Sequence, residues 1–112
     1  MNPIQDNVKR YIREGGWGER SILESMTHDQ LHLSKLTGAL AEYLELRDHF
    51  DQGELNASEV ADMQLLGMAL KRKLAADLAI FAARFAEYFN QDLDETVNER
   101  MKRNRKKKFG NE

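Results

Sequence analysis

The stretch NASEVADMQLLGMALKRKLAADLAIFAARFAEYF, residues 56–89, decides the fold. Asn56 and Glu59 form the capping-box pattern that starts a helix. No proline follows in the run. At about 100° per residue, Met63, Leu66, Leu70, Leu74, Phe81, Phe85 and Tyr88 fall on one stripe. This spacing predicts a helix over 57–89, long for a globular protein, with Gly67 as the place for a bend or break. Leu65, Leu78 and Phe89 lie off the stripe, so the helix is apolar round much of its girth. That pattern implies burial on two sides, as in an oligomer.

Working outward, the segment 93–107 opens with Asp92 and Glu95 in the same capping pattern. Upstream, Leu33, Leu36, Leu40, Tyr43 and Leu44 make an apolar stripe over 28–48, with Thr27 and Gln30 as its capping box. Asp51-Gln52-Gly53-Glu54 forms the connecting loop. A first helix is expected over 3–14, capped by Asn2, opened by Pro3 and ended by Gly15 and Gly16; Ile4, Val8 and Ile12 share its face. Trp17-Gly18-Glu19-Arg20 reads as irregular. No stretch alternates apolar and polar residues as a strand would. Short loops between helices with one apolar face each predict an all-α fold, an antiparallel bundle of about four helices.

The chain has 112 residues, 41% hydrophobic and 32% charged, as expected of one ordinary domain. Residues 1–26 are its N-terminal helix and irregular segment, and residues 100–112 its basic end. It has no cysteine, which excludes disulfides and thiolate metal sites. The start, MNPIQDNVKRYIREGG, is too polar for a signal peptide, and no apolar run reaches the ~20 residues of a membrane span. A cytoplasmic protein is expected. The net charge of -2 is uneven: residues 100–112 hold seven Lys and Arg against Glu112 alone, a net +6, which leaves -8 on the rest. An acidic body with a basic end suits an anionic ligand, an acidic partner surface or nucleic acid. No recognised nucleic-acid-binding motif accompanies it, and Phe109 is the single nearby aromatic.

Asp77 breaks the pattern of the long helix by falling inside the apolar stripe, near the directions of Leu66 and Leu70. A carboxylate there is costly unless it is paired, hydrogen-bonded or metal-bound. Two readings stay open: an ion pair or loop cap, or a cation ligand. His28 and His32 are four apart, but no glutamate follows His28, so the zinc-protease pattern is absent. Surface or cap positions are expected for them and for His49. Gly15, Gly16 and Gly18 lack the strand and lysine of a phosphate loop.

LAADLAIFAARFAEYFNQDLDETVNERMKRNRKKKF, residues 74–109, resembles the second half of the MazG-like nucleoside-triphosphate pyrophosphohydrolases. Asp77 matches the aspartate of their second acidic motif, Asp92-Leu93-Asp94-Glu95 the acidic helix start, and Arg100, Asn104 and Arg105 the basic end. KLTGALAEYLE, residues 35–45, looks like their first motif, and Gly16-Trp17 with Glu19-Arg20 like the segment before it. The resemblance spans roughly residues 15–109.

A homo-oligomer, dimer or tetramer, is expected from the apolar girth of the long helix, and the resemblance implies that four carboxylates on two helices hold Mg²⁺. The metal binds a triphosphate, and the products are a nucleoside monophosphate and pyrophosphate. The chain departs from this pattern. In the preferred register the first motif is Ala39-x-x-Glu42 and the second Leu74-x-x-Asp77, so Glu42 and Asp77 remain as metal ligands and two are lost. A register three residues earlier, Leu36 and Ala39, has no acid. Glu45 is expected to face solvent. Mg²⁺ needs oxygen ligands, and neither alanine nor leucine supplies one. The expectation is a divergent member that holds Mg²⁺ weakly, hydrolyses slowly or not at all, and binds a nucleotide or a partner. An active pyrophosphohydrolase and an adaptor acting through the basic end are the alternatives. Arg100, Lys102, Asn104 and Arg105 are the phosphate-binding candidates. No catalytic residue is assigned.

Overall fold

A computed structural model describes residues 3–15 and 21–108. Among these the chain is all-helical: α1 Pro3–Glu14, α2 Ile22–Asp51, α3 Ala57–Tyr88 and α4 Leu93–Lys108, with no strand. Asn2, Gly16, Trp17, Glu19, Arg20 and Phe109 lie outside the described residues. No helix is long and apolar enough to cross a membrane among the described residues.

α2 begins six residues earlier than its apolar stripe suggested. Ser21 caps it: the Glu24 amide donates to Ser21 Oγ at 3.1 Å, and that hydroxyl donates to Glu24 Oε1 at 3.1 Å. Thr27 is therefore inside the helix and exposed, not a cap. Gln30 instead donates to Ser34 Oγ at 3.0 Å. The Asn56–Glu59 box forms as expected, with reciprocal bonds of 2.8 and 3.0 Å. Asp92 accepts from the Glu95 amide at 3.0 Å.

α2 and α3 end alike. Gly53 at φ 74° and Asn90 at φ 54° occupy the left-handed region just past each helix. Behind Gly53, Glu54 N–H reaches His49 O at 3.0 Å and Gly53 N–H reaches Phe50 O at 2.9 Å. Behind Asn90, Gln91 N–H reaches Ala86 O at 2.8 Å and Asn90 N–H reaches Glu87 O at 3.1 Å. Both are Schellman closures that satisfy carbonyls left free by the helix end.

The described chain forms two compact units, residues 27–78 and residues 1–26 with 79–112. The first is the α2–α3 hairpin, whose buried apolar residues are Leu36, Met63 and Leu70. Gly67 does not break α3. It lets Tyr43 in: a Cβ there would lie 2.8 Å from Tyr43 Cε1. The Tyr43–Gly67 contact lies eight residues before the end of α2 and ten after the start of α3, which is the geometry of an antiparallel pair.

The second unit holds α1, the start of α2, the end of α3, and α4. Its buried apolar residues are Val8, Ala83 and Ala86. α3 contributes buried residues to both units, while Leu65, Leu78 and Phe89, which gave it an apolar girth in sequence, are exposed. Of the face expected on α1, Val8 is buried, Ile12 is half-buried and Ile4 is exposed. Gln5 is buried in its stead. Gln5 Nε2 donates to Glu87 Oε2 and to Gln91 O, the latter at 2.8 Å, and Gln5 Oε1 accepts from the Leu93 amide at 2.9 Å. Lys9 Nζ lies 3.3 Å from Glu87 Oε1. One glutamine therefore ties α1 to the corner between α3 and α4.

Candidate functional site

The two acidic candidates both sit in the hairpin, in different surroundings. Asp77 is half-buried on the face of α3 that carries Leu70. Glu42 is exposed, about 120° round α2 from buried Leu36. Ala39 and Leu74 are half-buried, and Glu45 is exposed as expected.

The antiparallel register separates the two acids along the helix axis. Glu42 adjoins Tyr43, which meets Gly67. Asp77 lies ten residues beyond Gly67 in α3, about 15 Å at 1.5 Å per residue. It therefore stands level with the neighbourhood of Leu33 in α2, about 14 Å from the level of Glu42. Among the described residues, no group of three or more His, Asp or Glu side chains comes together in a way that could hold a metal ion.

The acid buried most completely is Asp29, 1% exposed. His28 Nδ1 lies 3.4 Å from its Oδ1. The phase signal was present, since Asp29 precedes Leu36 by seven residues and shares its face to within about 20°. It stays hidden when α2 is begun at residue 28, because the position then reads as part of the helix start.

α4 carries the phosphate-binding candidates. Arg100, Lys102, Asn104 and Arg105 are all exposed. Arg100 and Asn104 lie about 40° apart on the helix, whereas Lys102 and Arg105 lie about 200° and 140° from Arg100. The four do not converge on one face. Arg103 joins Arg100 instead, in an open cleft of about 480 Å³ lined by Gln91, Glu95, Thr96, Glu99, Arg100 and Arg103. Glu99 offsets the charge there, 3.5 Å from Arg103 Nε. The cleft is of mixed sign, unlike a dedicated polyanion cradle.

An uncovered apolar surface lies on the first half of α3. Leu65 and Met68 are 65% and 66% exposed. They are three residues apart and adjoin on one face, with exposed Ala61 one turn before and exposed Ala75 two turns after. No family model, curated protein or solved structure matches this chain.

Proposed function

We propose that this chain is a helical binding module, a divergent MazG-like domain without pyrophosphohydrolase turnover, and that it works as a homo-oligomer through the uncovered face of α3. The exposed Leu65–Met68 pair carries this reading. Large apolar side chains grouped on one helix face mark an association surface more often than isolated ones do.

Loss of turnover is supported by chemistry and by register. Ala39 and Leu74 offer no oxygen to a cation, and Glu42 and Asp77 stand at different levels of the hairpin. A charge-neutralising Mg²⁺ in phosphoryl chemistry needs its carboxylates converging.

Light scattering coupled to size exclusion tests the association. Wild-type chain is expected to run as a dimer or larger, and Leu65→Glu with Met68→Glu as a monomer with its helical circular dichroism kept. A monomeric wild type sinks the oligomer reading. For the chemistry, nucleoside triphosphates with Mg²⁺ or Mn²⁺ should yield no pyrophosphate above background. Turnover that disappears in Asp77→Ala would establish the enzyme instead. That alternative has one observation in its favour, the half-burial of Asp77 on the face that carries Leu70.

A further inference from the structure

α2 presents two histidines one turn apart, His28 and His32, with ring centroids 4.3 Å from each other. Side chains at this spacing share a helix face. Beside them lies Asp29, buried, with Oδ1 3.4 Å from His28 Nδ1. A carboxylate facing Nδ1 favours the tautomer protonated there and leaves the lone pair on Nε2. The same relay, a carboxylate behind a ligating imidazole, fixes ring orientation and raises ligand basicity in metal sites. The rings are within reach of solvent, since the His28 side chain is 45% exposed and His32 is exposed.

We infer that His28 and His32 form a two-imidazole chelate for a divalent transition ion of the Zn²⁺ or Ni²⁺ class, with Asp29 as the buried carboxylate that orients His28. Imidazole nitrogen suits Zn²⁺, Ni²⁺ and Cu²⁺, whereas Mg²⁺ demands oxygen. The site is thus chemically distinct from any carboxylate site at Glu42 or Asp77. Two protein ligands leave the remaining positions of the ion to water. Nothing in this inference depends on the oligomer or on the MazG-like reading.

Calorimetric titration of the full, untagged chain with Zn²⁺ alone tests it. The expected result is one ion per chain. His28→Ala and His32→Ala should each weaken binding by at least about tenfold, and Asp29→Asn by roughly 10- to 100-fold, the usual cost of losing an orienting partner. His49→Ala should bind as wild type, because His49 is engaged with Glu54 at 2.9 Å elsewhere on the hairpin. Asp29→Asn changes a buried group and can impair folding. His32→Ala changes only an exposed ring, so it decides the matter with folding checked by circular dichroism. Absence of Zn²⁺ uptake by the wild type overturns the inference. So does unchanged affinity in either His28→Ala or His32→Ala.

Discussion

Single residues of this chain act through what their side chains would meet, and the glycines make this measurable. Gly38 and Gly67 both lie inside long helices, where glycine costs about 1 kcal/mol relative to alanine. A Cβ at Gly38 meets nothing within 4 Å, whereas at Gly67 it meets the Tyr43 ring at 2.8 Å. Gly38→Ala should therefore stabilise the fold by about 0.5–1 kcal/mol in urea unfolding. Gly67→Ala should destabilise it or fail to gain, because overpacking costs about 1–3 kcal/mol. Equal gains at both positions would refute the close approach of α2 and α3. Gln5 shows the opposite dependence, on partners rather than space. Gln5→Leu would strip the Leu93 amide and the Gln91 carbonyl of a buried partner. The expected loss is about 2 kcal/mol, within the range for a buried unsatisfied group, and a shift in urea midpoint reads it.

Elements here are bounded by local chemistry that the sequence carries openly. Asn56 and Glu59 start α3, Asp92 starts α4, and the span of α3 follows from its uninterrupted periodicity. The beginning of α2 was harder to read, because Thr27-x-x-Gln30 competes with Ser21-x-x-Glu24 for the same role. The earlier cap wins, since the helix then gains six residues of backbone hydrogen bonding, although the face that carries Leu36 holds Ser25 and Asp29 there instead of apolar residues. The end of α2 also carries a pH-sensitive tie. The hydrogen bond to Glu54 holds His49 above its ordinary value of 6.5, and nearby Asp48 and Glu45 add to the effect. A raised folded value means that the protonated form favours the folded state. That contribution is fully present below 6.5 and is lost as pH rises through the raised value. Glu54→Gln should therefore destabilise the chain more at mildly acidic pH than at alkaline pH. An NMR titration should show the His49 midpoint moving down in that variant; an unmoved midpoint would show that the bond is not formed in solution.

At the scale of the whole molecule, charge is the property most plainly set by composition. The exposed cations Lys102, Arg103, Arg105, Lys106 and Lys107 follow the part of α4 that joins Gln5 at Leu93. Deleting residues 102–112 should leave the helical circular dichroism largely intact while abolishing salt-sensitive retention on a polyanion resin, a counterion effect. Retention that survives the deletion would place the anion-binding surface elsewhere, with the cleft holding Arg100 the first place to examine.

The sequence by itself determined the helical class, most of the helix ends and the uneven charge, because capping, periodicity and net charge act over a few residues. It also placed Asp77 in an apolar phase, and the structure finds that residue half-buried. Only the tertiary structure decided that Asp29 is the deeply buried acid, that Gln5 ties three helices, and that Gly67 serves contact rather than a break. It also decided how far Glu42 and Asp77 stand apart. The physical reason is register: helix phase tells which way a side chain points, but not how far one helix has slid along its neighbour. That slide is fixed by a contact such as Tyr43 on Gly67, made between residues distant in the chain.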